Sequence, residues 1–118
     1  MPLDKHLQLK ARTKALALRV IKMSQALPRT REANVITLQL LRSATSMAAN
    51  YRAAGRARSK AEFVSKMGIV VEEADETAFW LELLGDSGIV KPAKLMELLI
   101  ESNELLAIFS VSRSTARG

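Results

Sequence analysis

Residues 59–84, SKAEFVSKMGIVVEEADETAFWLELL, contain the strongest fold signal in the chain. Ser59 and Glu62 form a capping box, in which the serine hydroxyl accepts the Glu62 N–H at a helix start and the glutamate reaches back. The apolar and small residues that follow recur at alternating steps of four and three: Phe63, Met67, Val70, Ala74, Thr77, Leu81 and Leu84. This spacing predicts a helix with one buried seam, as in a helix bundle.

Proline and glycine divide the remaining chain into segments of similar length. Pro28 ends the first apolar-periodic segment, Gly55 ends the second, and Gly85 and Gly88 end the third, whereas Pro92 lies just inside the fourth. The segments are rich in Ala, Leu, Lys, Arg, Glu and Met, which are strong helix formers. We predict helices at residues 4–27, 32–54, 60–84 and 92–113.

The connections between these helices are short, so consecutive helices must run antiparallel. The fold prediction is therefore all-α: a single domain over residues 1–118, folded as an antiparallel up-down four-helix bundle. The second helix presents a core face rich in small side chains, which permit close approach of a neighbouring helix: Thr37, Leu40, Leu41, Ala44, Met47, Ala48 and Tyr51.

The composition restricts the compartment. Cysteine is absent, which excludes a disulfide framework and suits a reducing environment. The first twenty residues are charged throughout and lack the apolar region of a signal peptide. No stretch approaches the roughly 20 apolar residues that a membrane span needs. We expect a cytoplasmic protein without a membrane partner.

Several apolar residues do not fit inside one bundle. If Val70 points inward, Phe79 points about 180° away, Leu83 about 140° away and Trp80 about 80–100° away. The fourth helix is also apolar over much of its circumference. This surplus predicts self-association through a surface that includes Phe79, Trp80 and Leu83. The alternative is that a loop covers Phe79 and Leu83 near their helix end.

Charge is distributed unequally along the chain. Residues 1–60 contain 13 of the 18 basic residues and 2 of the 12 acidic residues, so residues 61–118 contain 5 basic and 10 acidic residues. This asymmetry indicates either an anionic partner for the first half or pairing between the unlike halves of different subunits.

The most basic segment surrounds Gly55. Arg52 lies near a helix C-terminus, where a cation complements the helix dipole, so we assign it a structural or interface role. Arg56, Arg58 and Lys60 surround the turn and should be exposed, and Lys60 opposes the dipole of the helix that it begins. An anion there would gain from free N–H groups and nearby cations, so these three residues are predicted phosphate or nucleic-acid contacts. The alternative is a solvated turn with intersubunit salt bridges.

Catalytic signatures are scarce. There is no cysteine nucleophile and no Gly-rich phosphate loop, and the only histidine, His6, is expected at the surface. Glu72, Glu73 and Glu76 gather on adjacent helix faces, but di-iron bundles need Glu-x-x-His pairs. A solvated acidic face is favoured over an all-carboxylate Mg²⁺ site. We therefore expect no enzyme activity, no cofactor and no metal.

Glu73 lies about 60° from the inward direction, on the flank where a neighbouring subunit would dock. A partly buried carboxylate needs a partner. We predict that Glu73 and Glu76 meet Arg52 or Arg56 across a subunit boundary.

The chain resembles the four-helix bundle proteins encoded by intervening sequences of bacterial large-subunit (23S) ribosomal RNA genes, strongly over about residues 38–84 and elsewhere by helix layout only. The shared pattern is a Ser-x-x-Ser, small, Asn run, a basic turn, Ser-Lys-x-[Glu/Asp]-Phe and an acidic helix. It falls here at Ser43, Ser46, Asn50, Arg56–Arg58, Ser59–Phe63 and Glu72–Glu76. One departure is the turn, since the family's Gly-x-Gly-Arg-Arg is replaced here by Ala54-Gly55-Arg56-Ala57-Arg58.

The resemblance implies a closed bundle assembled into a ring, a homopentamer, related to the basic accessory bundles of diversity-generating retroelements. The family's biochemical role is unsettled. The leading functional hypothesis is a non-enzymatic homo-oligomer that binds RNA or DNA through a basic surface on the first two helices and the turn. The alternative is an assembly scaffold or protein-interaction adaptor whose basic residues serve subunit contacts.

Overall fold

The computed structural model describes the backbone of residues 2–118 and the side chains from residue 4 onward. The chain forms four helices: α1 (Pro2–Ser24), α2 (Arg31–Ala54), α3 (Lys60–Asp86) and α4 (Pro92–Arg117). They pack side by side in a body of 44 × 23 × 20 Å. Residues 2–118 contain no strand, so the prediction of an all-α four-helix bundle is confirmed.

The helix starts follow the local chemistry of the chain. The Ser59 hydroxyl accepts the Glu62 N–H at 3.0 Å, which confirms the first half of the predicted capping box. Thr30 caps α2 in the same way, with its hydroxyl 3.2 Å from the Ala33 nitrogen. Pro92 occupies the first turn of α4, where its missing N–H costs no intrahelical bond.

Three predicted helix ends differ from the structure. Helix α1 ends at Ser24 rather than at residue 27, since residues 25–27 form a turn before Pro28. Helix α3 continues through Gly85 to Asp86, and α4 runs four residues further than predicted, to Arg117. Glycine weakens a helix without ending it. The left-handed residue after α3 is Gly88, with φ of 79°.

The predicted seam of α3 is buried except at its first position. Phe63 is only half-buried, whereas the other members are buried: Met67, Val70, Ala74, Thr77, Leu81 and Leu84. In α2 the core face is rotated slightly from the predicted one, because Thr37, Leu41 and Ala48 are half-buried while Ser43 is fully buried.

A short chain of hydroxyl hydrogen bonds crosses the core between α2 and α3. Thr77 Oγ1 lies 3.0 Å from Ser43 Oγ and 2.7 Å from the Glu73 carbonyl oxygen. Ser43 Oγ also lies 3.1 Å from the Leu40 carbonyl oxygen, so its single hydroxyl hydrogen can be donated either to that oxygen or to Thr77. These buried hydroxyls therefore have partners, as buried polar groups require.

The four helix seams are unequal. Helix α2 packs extensively on α3, and α3 packs extensively on α4. Helices α1 and α4 contact each other only over a short stretch. Ion pairs support this weak seam, since Arg12 contacts Glu101 and Glu104, and Arg19 lies 3.6 Å from Glu97. The Arg12 hydrogen bond lowers the pKa of Glu101. Polar contacts thus hold α1 to α4 where apolar packing is thin.

Candidate nucleic-acid interface and adjoining groove

The connection between α2 and α3 lies at the same end of the bundle as the start of α1 and the finish of α4. The His6 ring packs directly over the Cα of Gly55, and a Cβ built on Gly118 would lie 3.9 Å from Lys60 Nζ. Arg113 donates to the Val64 carbonyl at 3.4 Å. These contacts bring three separate parts of the sequence together at one end.

We call this region the basic end and define it by its cations: Lys5, Arg52, Arg56, Arg58, Lys60, Arg113 and Arg117. Asp4 and Glu62 are the acidic residues within the same turns. The opposite end has five basic and three acidic residues within comparable turns. The net positive charge of the protein is therefore concentrated at one end.

The predicted phosphate contacts are all at this end. Arg56, Arg58 and Lys60 are exposed, and Arg52 is exposed in the last turn of α2. The structure adds Lys5, Arg113 and Arg117, which were not among the predicted contacts. Their position depends on the antiparallel packing of α1 and α4, and neither residue spacing nor a motif marks it in the sequence.

A groove opens beside the basic end, where α1 and α4 diverge. It encloses about 780 Å³ and exposes the edge of the core. Leu9, Phe63, Ile108 and Val111 form its apolar lining, and Lys5 is part of its wall. The half-burial of Phe63 follows from this opening. We refer to this feature as the α1–α4 groove.

His6 lies in the open α1–α4 groove, at the surface as expected but half-buried. Its Nδ1 shares a hydrogen bond of 3.0 Å with the Tyr51 hydroxyl. Tyr51 also stacks on Phe109, with ring centroids 4.7 Å apart, and burial raises the pKa of Tyr51 to about 12. Gly55 is needed here for the close approach of His6, since its φ of −64° is ordinary for any residue.

The acidic side chains of α3 have a partner within the same chain. Glu73 is buried, with Oε2 4.0 Å from Arg42 Nη1, and Glu76 Oε2 lies 3.7 Å from Arg42 Nη2. The neighbouring Glu73 carboxyl, by hydrogen bonding, raises the pKa of Glu76. Arg42 was absent from the predicted contacts because its position depends on the register of α2 against α3. Pairing of these glutamates with Arg52 or Arg56 of another subunit stays a prediction.

The residues of the predicted subunit surface lie on the outside of α3. Phe79 is 50% exposed, and Trp80 and Leu83 are half-buried. The Phe79 and Trp80 rings meet edge to face, with centroids 4.9 Å apart. Leu38 of α2 is also exposed. The structure thus leaves apolar side chains uncovered, and their role in assembly stays a prediction.

In the described part of the chain, no group of three or more His, Cys, Asp or Glu side chains is arranged to hold a metal ion. Across residues 2–118, none of the helices combines the length and apolar character needed to cross a bilayer.

Comparisons with known proteins address the family. The family model described as 23S rRNA-intervening sequence protein matches residues 5–110. A crystal structure of a protein of unknown function from the S23 ribosomal protein family, from Bacteroides thetaiotaomicron VPI-5482, has a TM-score of 0.85 and 30% identity, covering 93% of this chain and 98% of that chain. No curated protein matches the chain. Because the family model spans most of the chain, the protein belongs to the 23S rRNA-intervening sequence protein family.

Proposed function

We propose that this protein is a non-enzymatic, homo-oligomeric four-helix bundle that binds RNA or DNA through its basic end. The observation that supports the proposal is the concentration of seven cations against two acids at the end of the bundle where α1 and α3 begin and α2 and α4 end. Phosphate backbones are recognised chiefly by such clustered Lys and Arg side chains. We further propose that the family is related to the basic accessory bundles of diversity-generating retroelements, a relation that points to the same class of ligand.

The arrangement of the cations suits a phosphate backbone. Arg56 and Arg58 are exposed in the connection between α2 and α3, and Lys60 begins α3 beside Gly118. None of these three side chains is held by an ion pair with another described residue. Their charges are therefore available to a ligand. In contrast, Arg12, Arg19 and Arg42 are paired within the chain.

Salt dependence tests this function. Fluorescence anisotropy with labelled single-stranded RNA, single-stranded DNA and duplexes should show affinity falling linearly with salt on a log–log plot, between about 50 and 300 mM. The double variant Arg56→Glu, Arg58→Glu should bind about tenfold or more weakly and show a shallower slope by about 1–2. The oligomer mass and the helix content of this variant should equal those of the wild type.

A matched control exists at the opposite end. Lys91→Glu with Lys94→Glu changes the net charge by the same amount, at exposed positions beside the start of α4. This control should retain most of the affinity. Equal losses in the two double variants would show only a net-charge effect, and no binding at low salt would refute the proposal.

A second candidate is an assembly scaffold, favoured by the exposed apolar surface around Phe79 and Leu38. We propose that subunits form a ring through unlike faces, a pentamer as the family resemblance implies. Light scattering should give a mass well above the monomer, and Phe79→Glu should lower it without loss of helicity. An oligomer that binds no nucleic acid at low salt would favour the scaffold.

A further inference from the structure

The α1–α4 groove has the form of a docking site for a helix. It lies between two antiparallel helices, and its wall exposes apolar atoms of Phe63, Ile108 and Val111. Val111 is 66% exposed, although it adjoins the buried residues Leu9 and Tyr51. An amphipathic helix binds such a groove by placing apolar side chains at positions i, i+3, i+4 and i+7.

The surroundings of the groove are cationic. Lys5 is part of its wall, and Arg117 adjoins the wall residue Ala116 at the end of α4. Lys60 lies beside Gly118 at the end of α4. Arg113 is not part of this rim, since its side chain lies against α3 and bonds the Val64 carbonyl. An apolar floor inside a basic rim is complementary to an apolar stripe flanked by carboxylates.

We propose that the α1–α4 groove binds an acidic amphipathic helix of a partner protein. Its apolar stripe occupies the lining around Phe63, Ile108 and Val111. Its flanking Asp and Glu side chains meet Lys5, Lys60 and Arg117. This interaction does not depend on nucleic-acid binding by Arg56 and Arg58, which do not line the groove.

Two other occupants fit the groove less well. An unstacked base needs aromatic faces and free hydrogen-bonding groups. Here the Tyr51 ring is buried and stacked on Phe109, and its hydroxyl is already bonded to His6. Phosphate groups of a nucleic acid would bind the cations of the basic end, whereas the apolar floor of the groove offers them no partner.

The acidic outer face of α3 in a second copy is the other alternative. Its exposed aromatic residue, Phe79, lies 16 positions beyond Phe63, or about 24 Å along α3 at 1.5 Å per residue. Seating Phe79 of one copy in the groove of the next would displace parallel bundles along their axes. Such a displacement generates an open filament instead of a closed ring. A separate partner helix avoids this displacement.

The test uses the full chain and a designed fluorescent peptide. The peptide has about five helical turns, with Leu at i, i+3, i+4 and i+7 and Glu at the flanking positions. Anisotropy should show binding that a shuffled peptide of identical composition loses by about tenfold or more. Val111→Glu, at an exposed groove position, should weaken binding by about tenfold or more. Leu18→Glu, exposed on α1 and outside the groove lining, is the matched control and should bind normally.

Several results would overturn the proposal. They are absence of binding, equal binding of the designed and shuffled peptides, and no loss of binding in either of two groove variants. These variants are Val111→Glu and Ala107→Glu, since Ala107 is a second exposed lining residue. A loss of oligomer mass in Val111→Glu would assign the groove to a second copy. Loss of oligonucleotide binding in the same variant, without peptide competition, would assign it to nucleic acid. Arg56→Glu with Arg58→Glu separates the two hypotheses, since it should weaken RNA binding and leave peptide binding intact.

Discussion

Arg12 on α1 and Glu101 on α4 form a two-point ion pair, with Nε 3.0 Å from Oε2 and Nη2 2.7 Å from Oε1. The same guanidinium reaches Glu104 at 2.9 Å. This contact lies across the seam where the helices of the bundle pack least. The closure of the bundle between its first and last helices therefore depends on electrostatics more than the other seams do.

Glu101→Gln should lower the free energy of unfolding by about 1 kcal/mol at pH 7, because both partners are partly exposed and solvent screens the pair. The pKa of Glu101 is lowered in the folded state, so its contribution is present above the unfolded pKa and is lost as the pH falls through the folded pKa. Urea unfolding of both proteins should converge at acidic pH. Glu104→Gln, at a more exposed carboxylate, should cost less. A difference that persists in acid would contradict this electrostatic account.

Glu76→Gln should raise the free energy of unfolding, whereas Glu101→Gln should lower it. The Glu73 carboxyl raises the pKa of Glu76, so the ionised form of Glu76 is disfavoured in the folded protein and opposes folding at neutral pH. The substitution should raise stability at pH 7 by about 0.5 kcal/mol or less, since Glu76 is substantially exposed. The gain should disappear below the unfolded pKa. Thermal unfolding as a function of pH checks this, and a clear loss of stability at pH 7 would show that the Arg42 contact dominates.

The effect of Gly55→Ala on stability should depend on whether residue 6 is histidine. The added methyl group meets the His6 ring, so the imidazole must move and the hydrogen bond to Tyr51 is lost, at a cost of about 0.5–1.5 kcal/mol. The φ of −64° suits alanine, and Gly→Ala at such a position stabilises by about 0.4–1 kcal/mol through the unfolded chain. In the wild-type background these effects should nearly cancel. In a His6→Ala background Gly55→Ala should be stabilising, and a double-mutant cycle without coupling would refute this packing.

Thr77→Val should destabilise the protein by about 1–2 kcal/mol, because it removes the donor to the Glu73 carbonyl and leaves Ser43 without one partner. Ser43→Ala should cost less, since Thr77 keeps its shorter bond to Glu73. The double variant should cost less than the sum of the two, as both single changes break the same contact. Chemical denaturation of the three variants measures this, and strict additivity would exclude a shared hydrogen bond.

The main features of the fold could be predicted because each depends on local chemistry. Ser59 caps α3, Pro28 and Pro92 lie beside helix boundaries, and the four-three spacing from Met67 to Leu84 identifies the buried face. The seven predicted seam positions of α3 depart from burial only at Phe63. Phe63 is only half-buried because α1 and α4 diverge beside it. The spacing of residues within α3 contains no information about that divergence.

The candidate site could be predicted only where its residues are adjacent in sequence. Arg56, Arg58 and Lys60 are visible as one basic turn, whereas Lys5, Arg113 and Arg117 lie far away along the chain. Arg42 similarly reaches Glu73 and Glu76 only through the register of α2 against α3. His6 was expected at the surface, but no sequence pattern links it to Tyr51 and Gly55.

The sequence by itself determined the number of helices, their approximate limits and the polarity of their faces, because helix propensity, capping and apolar spacing act over a few residues. Tertiary structure decided which charges share an end, which acidic residues are paired within the chain, and where the α1–α4 groove opens. These outcomes depend on the relative translation and separation of whole helices, which are set by side-chain packing between residues distant in sequence.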